Sequence, residues 1–384
     1  MSISARKIIY LSGTRADFGL MQSTLQLLAL GVDSVNRVDI SVAVTGMHLE
    51  PAFGCTVDAI RAAGLRICGE VPVNVTSRTP QSMSASIGEC LQGLSALLSR
   101  EQPDILVILG DRGEMLAGAI AALHLGIVCV HIHGGERSGT VDEPVRHAIS
   151  KLSSYHLVAT EQSRERLSRM GESPDRIHVI GAPGLDGIVE AAGLSFNECR
   201  MALDLPTLPA FVLAVFHPVV QQAGDAYAQT ACLLAALIKI GLPVVWLEPN
   251  SDAGSHEIHR ALAEISMPAG SRRVKHLQRN LFCNAMKHCA VMVGNSSAGI
   301  LEAASFGTPV INVGDRQRLR ERSSNVCDVV GDTESIVWGL EQALLQGKST
   351  CDNRYGDGLT GQRIANHLMI LSLDRSVLEK FNTY

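Results

Sequence analysis

Short apolar runs alternate with stretches that carry apolar residues at helical spacing along the whole chain. In the first half the runs are 8–11, 40–44, 105–109, 128–132, 156–159 and 178–180, and most are apolar on both faces, as strands covered by helices on each side must be. Between them, 82–100 and 114–125 repeat apolar residues with the helical period and are bounded by polar turn residues. The chain then turns through Gly181-Ala182-Pro183-Gly184, and the alternation restarts with runs at 211–216, 244–248, 274–277, 291–294, 310–313 and 326–330, separated by helices such as 225–240 and 334–346. Strand, turn and helix in this order predict an α/β fold of two Rossmann-like, doubly wound domains, the first over 1–185 and the second over 186–365. Ligands of such sheets collect outside the carboxyl ends of the strands, so two facing domains would enclose a cleft.

At 384 residues the chain is long enough for two such cores, since a domain takes roughly 100–200 residues. Hydrophobic residues make up 46% and charged residues 18%, yet no apolar run approaches the ~18 residues of a membrane-spanning helix. With 33 Lys and Arg against 38 Asp and Glu, the net charge of -5 gives no general attraction for nucleic acid or an anionic membrane, so neither is an expected partner. An anionic ligand would have to be held by local cations. The apolar stretch after residues 1–7 is too short for the core of an export signal, and the ten cysteines are scattered singly from Cys55 to Cys351 with no zinc or redox spacing. A cytoplasmic protein with reduced, buried thiols is expected.

Polar residues able to do chemistry stand at the ends of the runs. Gly13-Thr14-Arg15-Ala16-Asp17 follows the first run and opens a helix, which makes it either an anion site built from backbone N–H groups and Arg15 or a capped helix with a surface arginine. It lacks the G-x-G-x-x-G fingerprint, so a nicotinamide dinucleotide is not indicated. Gly110-Asp111-Arg112 ends the third run with a carboxylate and a guanidinium, and Asp111 suits an active site or a helix N-cap. The fourth run ends in His131-Ile132-His133-Gly134-Gly135-Glu136, followed by Asp142, Arg146 and His147. His131 and His133 share a strand face, but no third ligand stands at a diagnostic metal spacing, so proton transfer between histidine and carboxylates is favoured over a metal centre. His131 alone reads as a structural histidine. In the second half, Phe216-His217-Pro218 and the stretch beginning Pro249-Asn250 end strands. Val293-Gly294-Asn295-Ser296-Ser297 leads from a buried strand into a helix, where two hydroxyls and N–H groups can hold a phosphate. Glu302, about one and a half turns further on, is within reach of a ribose diol, and Arg316 in Gly314-Asp315-Arg316-Gln317 adds a cation. Ser297 is otherwise a plain helix cap; its combination with Glu302 and Arg316 favours a nucleotide site.

Taken in order, these segments resemble the hydrolysing UDP-N-acetylglucosamine 2-epimerases that serve sialic acid and related nonulosonic acid synthesis. The resemblance spans almost the whole chain and also includes Thr45-Gly46-Met47-His48, Ser138-Gly139-Thr140 and Arg146-His147. It implies two Rossmann-like domains of the glycosyltransferase-B type with a UDP-sugar in the cleft, and a C-terminal helix over 366–384 that crosses back to the first domain. No cofactor and no metal is implied, and relatives are homodimers or homotetramers. The resemblance assigns Ser296 and Ser297 to the diphosphate, Glu302 to the ribose, and Arg15, His217 and Arg316 to phosphate or nearby contacts. It assigns Asp111 and Asp142 to the sugar and its proton transfers, and Asn250 and His48 to the lining of the site. Within the same motifs, Asp17, Arg112 and Arg146 are candidates for substrate binding and Glu136 for proton transfer. One departure stands out: His133 occupies a position where many relatives carry an acid–base glutamate, although some relatives that make N-acetylmannosamine carry the histidine.

The reaction implied is cleavage of the C1–O bond of UDP-N-acetylglucosamine with loss of the C2 proton, giving a glycal and UDP. Water then adds with the opposite C2 configuration and yields N-acetylmannosamine. Asp111, Asp142 and His133 are expected to share the proton transfers, with activity falling as pH drops through the histidine range near ~6.5 if His133 is the base. The main alternative is the same reaction on UDP-N,N'-diacetylbacillosamine, since its enzymes share nearly all these motifs. A glycosyltransferase of the same fold, a non-hydrolysing epimerase and a UDP-sugar-binding protein without turnover are the remaining alternatives.

Overall fold

Along β1 (Arg6–Ser12) successive side chains feed two different cores. Ile8 and Tyr10 pack with Phe18, Met21, Leu25 and Leu28 from one stripe of the Arg15–Leu30 helix, while Ile9 and Leu11 pack with Leu94, Leu98, Met115 and Ala119 on the opposite face. A strand apolar on both faces is thereby buried on both. The structure, a computed structural model, describes residues 5–31, 38–76, 80–137, 142–207, 209–249 and 254–384. It divides into two compact units, Met1–Asp186 with Tyr355–Tyr384, and Gly187–Arg354.

In the first unit β1 is joined by β2 (Val38–Thr45), β3 (Ile67–Val71), β4 (Ile105–Leu109), β5 (Val128–Ile132), β6 (Tyr155–Val158) and β7 (Ile177–Val179). All pair in parallel, in the order β3-β2-β1-β4-β5-β6-β7. The order reverses between β1 and β4, where Ile8 lies opposite Ile105, so the turns after these two strands are neighbours at the point where doubly wound sheets place their ligands. No apolar run marks β3, because this edge strand is half-exposed and carries Cys68, Gly69 and Glu70.

The second unit repeats the plan with β8 (Val212–Val215), β9 (Val244–Leu247), β10 (Arg272–Val274), β11 (Val291–Gly294), β12 (Val310–Val313) and β13 (Val326–Val329), ordered β10-β9-β8-β11-β12-β13. Here the reversal falls between β8 and β11. The apolar run at 274–277 misplaces β10, whose partners are Val245, Trp246 and Leu247; Lys275 and His276 beyond it are exposed. Gly294 ends β11 at φ +133, and a Cβ there would lie 2.1 Å from the Val215 carbonyl, so only glycine permits this approach.

The second unit ends at Arg354, earlier than the residue 365 expected from the alternation, and the chain rejoins the first unit at Tyr355. Tyr355 is 1% exposed, and its carbonyl accepts from the Ala182 N–H at 2.7 Å. The Asp186 carboxylate accepts from the N–H groups of Thr360, at 2.9 Å, and Gly361, which fixes the start of the Thr360–Ile370 helix against Arg15–Leu30. These anchors are polar and join residues far apart in the chain, so an apolar pattern does not reveal them. The ten cysteines are free thiols, and burial pushes those of Cys129 and Cys289 up to about 12. No helix among the described residues is long and apolar enough to cross a membrane.

A charged cluster is buried between β6, the Asp142–Leu152 helix and the segment near Lys380. Glu172, 1% exposed, receives the Nε2–H of His156 at 2.8 Å and the ammonium groups of Lys151 and Lys380 at 2.8 and 2.6 Å. Burial by itself would raise the Glu172 carboxyl; the His156 hydrogen bond and the two lysines outweigh it and hold the group at about 2, below its ordinary 4.5. Its contribution to stability, about 3 kcal/mol, is therefore complete above pH ~4.5 and is lost as pH falls through the folded value. Thermal melts should show wild type more stable than Glu172→Gln near neutral pH, with the gap closing between pH ~4.5 and ~2; a gap independent of pH would contradict this.

Candidate active site

The turn after β1 is built on a buried hydrogen-bond chain. Asp17, one turn into its helix, accepts from the backbone N–H of Gly13 at 3.1 Å and of Thr14 at 2.7 Å, from the Thr14 hydroxyl at 2.8 Å and from the Ser12 hydroxyl. The single Ser12 proton goes to that carboxylate, so His48 donates its Nε2–H to Ser12 Oγ at 2.9 Å and accepts at Nδ1 from Thr56 at 2.8 Å. Burial raises the Asp17 carboxyl, against the bonds from Ser12, Thr14 and Gly13, and burial lowers His48. The resemblance makes Asp17 a candidate for substrate binding and His48 a candidate for the lining of the site; in the structure the polar atoms of both pair with the turn itself. Arg15 is the exposed first residue of the helix. Glu114 supports the same turn: a Cβ on Gly46 would lie 2.8 Å from the Gly13 carbonyl and 2.9 Å from Glu114 Oε1.

Beside it, the turn after β4 presents Asp111. Arg146, 5% exposed, pairs through Nη2 with Asp111 Oδ2 and donates through Nη1 to the Glu136 carbonyl at 2.9 Å. One guanidinium thus ties the β4 turn, the β5 turn and the Asp142–Leu152 helix together. Arg112 instead holds Glu114, at 3.1 and 3.2 Å. His131 donates from Nε2 to the Gly110 carbonyl at 2.8 Å and faces Ser150 Oγ with Nδ1 at 3.0 Å, and burial lowers it to about 3, which keeps it neutral.

His133 is the first residue after the same strand and has φ +64, a left-handed conformation uncommon for a residue with a side chain and a mark of functional sites. Its N–H donates to the Leu157 carbonyl at 3.1 Å. Glu136 is buried, and Asp142 is the exposed first residue of its helix. Asn250 and the Ser138-Gly139-Thr140 motif lie outside the described residues.

In the second unit Asn295 is the hub, and its role is not visible in the motif that contains it. Its side chain exchanges two bonds of 2.8 Å with the backbone of His217, donating to the carbonyl and accepting from the N–H. Its own carbonyl accepts from Arg316 Nη1 and Gln317 Nε2, both at 3.1 Å. The β8, β11 and β12 turns are thereby locked together. Ser296 caps the short Ser297–Leu301 helix by accepting from the Ala298 N–H at 3.3 Å, with Ser297 as its first residue. Glu302 ends it, paired with Arg279; burial raises the Glu302 carboxyl, against the pull of Arg279. Next to Asn295 a cavity of about 440 Å³ is lined by Phe216, Gly314, Asp315 and Arg318 among others. Among the described residues no group of three or more His, Cys, Asp or Glu is placed to hold a metal ion.

Two doubly wound parallel sheets, each carrying polar residues on the turns at and beside the strand-order reversal, define a protein with Rossmann-like domains of the glycosyltransferase-B type. The profile of the UDP-N-acetylglucosamine 2-epimerase family matches residues 31–369, and the chain belongs to that family. It is 46% identical over 379 residues to the UDP-N,N'-diacetylbacillosamine 2-epimerase (hydrolyzing) of Legionella pneumophila, covering 99% of this chain and 100% of that one. It is 34% identical to the UDP-N-acetylglucosamine 2-epimerase of Neisseria meningitidis, covering 92% of each. A crystal structure of UDP-GlcNAc 2-epimerase from Neisseria meningitidis bound to UDP-GlcNAc superposes with a TM-score of 0.77 at 18% identity, covering 94% of this chain and 99% of that one.

Replacing Asn295 with Ala removes the side chain that pairs the half-buried His217 N–H and carbonyl. The substitution should cost about 1–3 kcal/mol in a denaturant melt. A variant as stable as wild type would remove Asn295 as the hub.

Proposed function

We propose that the protein is a hydrolysing 2-epimerase acting on UDP-N,N'-diacetylbacillosamine, releasing UDP and the C2 epimer of the sugar. The observation that carries this reading is the 46% identity, end to end, with a relative of that activity, against 34% to a UDP-N-acetylglucosamine 2-epimerase. The sequence alone favours UDP-N-acetylglucosamine; the comparison shifts the balance to what was there the alternative. UDP-N-acetylglucosamine remains the second reading, supported by the Neisseria relative.

In this mechanism the glycosidic C1–O bond breaks with its electron pair leaving on UDP, and positive charge develops at C1. The C2 proton, barely acidic beforehand, is then taken by a base, leaving a glycal. Water adds across the double bond with hydroxyl at C1 and a proton delivered to the opposite face of C2. Arg316, Ser296, Ser297 and His217, which the Asn295 hub and the helix cap hold at adjoining turns, are assigned to the diphosphate, where donors stabilise a departing anion. Glu302 is assigned to the ribose and Arg15 to a phosphate contact, as the resemblance implies. Asp111, oriented by Arg146, is assigned to the sugar with Asp142 and Glu136, and His133 to the C2 proton; its place at a strand end in a strained conformation supports that role.

Incubation in D₂O followed by proton NMR tests both parts. The diacetamido nucleotide should turn over with kcat/KM at least about tenfold above UDP-N-acetylglucosamine, a gap worth about 1.4 kcal/mol, and give free sugar with deuterium at C2. The reverse preference would establish the second reading. His133→Gln should lose about 10²–10⁴ in rate while still binding UDP, and unchanged turnover would remove His133 from the mechanism.

A further inference from the structure

The Asp142–Leu152 helix carries Asp142, Arg146 and Ser150 at successive turns. Its far end is closed by a lysine more than two hundred residues away in sequence. Lys380 Nζ donates to the carbonyls of Ser150, Lys151 and Ser153 at 2.8, 2.9 and 2.8 Å, and its charge is met by Glu172 at 2.6 Å. The last carbonyls of a helix have no donors of their own and form the negative end of its dipole, so this half-buried ammonium is a strong C-terminal cap. The segment that delivers it is tied down on both sides. Arg176 donates to the carbonyls of Ser376 and Val377 at 3.2 and 2.9 Å, Lys151 donates to Asn382 Oδ1 at 2.7 Å, and the Thr383 N–H donates to the Gly171 carbonyl at 3.1 Å.

Two bonded paths run from this cap to Asp111. One follows the helix to Arg146 and across its guanidinium to the Asp111 carboxylate. The other crosses from Ser150 through His131, at 3.0 and 2.8 Å, to the carbonyl of Gly110, the residue before Asp111. We propose that Lys380 is a positioning residue of the active site, clamping the Asp142–Leu152 helix so that Arg146 and His131 hold Asp111 in its working orientation. The inference rests on the assignment of Asp111 to the sugar, and Lys380 itself touches no reacting atom.

The test compares wild type, Lys380→Met and Lys380→Arg in amide hydrogen exchange, UDP affinity, kcat and KM. For Lys380→Met, exchange within 143–152 and 110–116 should rise about tenfold, and kcat should fall about tenfold, while KM and UDP affinity change by less than about twofold. Lys380→Arg, which keeps the charge and the donors, should recover most of kcat. Loss of the pair with Glu172 also lowers the stability of the whole unit, so the segments are compared with the rest of it: a rise no larger within 143–152 and 110–116 than elsewhere, a matching loss of UDP affinity, or no recovery with Arg would reduce Lys380 to a general stability role and overturn the proposal. Should Lys380→Met not fold, Asn382→Ala should shift the same amides in smaller measure, and no shift would overturn it. Failure of the substrate reading shows separately, as a wild type that turns over neither nucleotide sugar; the exchange pattern then still decides the role of Lys380.

Discussion

A guanidinium buried as deeply as that of Arg146 must find its counter-groups inside the protein, because an isolated charge in an apolar interior costs far more than a domain's whole net stability. It finds them in the Asp111 carboxylate and the Glu136 carbonyl, at the ends of two adjacent strands. The β4 turn, the β5 turn and the Asp142–Leu152 helix are therefore correct together or not at all. That coupling orients Asp111, and the switch in strand order beside β1 brings the Arg15 turn next to it.

The same requirement operates at each irregular turn, with different chemistry. Backbone N–H and C=O groups that leave a buried strand have no ladder partner and must be paired by side chains. Under the β1 turn the pairing falls to a carboxylate, a hydroxyl and a neutral imidazole in series. In the second unit a neutral amide does it, since Asn295 can donate to one carbonyl and accept from one N–H of His217 at once. Both networks leave the sheets themselves to apolar packing.

This makes polar residues at strand ends ambiguous in a reading of the chain. An acid or a histidine at a strand end serves a ligand or serves the turn, and both tasks select the same residue types at the same place. Asp17 and His48 pair with the turn itself, Asp111 pairs with Arg146 and His133 takes a left-handed backbone, and nothing local in their sequence separates the pairs. Asn295 sits in plain view within its motif, yet its importance comes from a neighbour, His217, that lies far along the chain.

Periodicity and turn chemistry alone determined the fold class, all the fully buried strands and the turns that carry the chemistry, because apolar spacing and glycine are local properties written residue by residue. Family membership was equally legible, since motifs such as Gly110-Asp111-Arg112 and Gly294-Asn295-Ser296-Ser297 are contiguous. The half-exposed edge strands β3 and β10 were not, for they lack the apolar run that burial imposes. Tertiary structure alone decided the return at Tyr355, the partner of Arg146, the sinking of Asp17 and His48, and the Lys380 clamp. Each of these depends on polar contacts made in the folded interior, most of them between groups distant in sequence, and their energy exists only once the chain has excluded the water that would otherwise satisfy both partners.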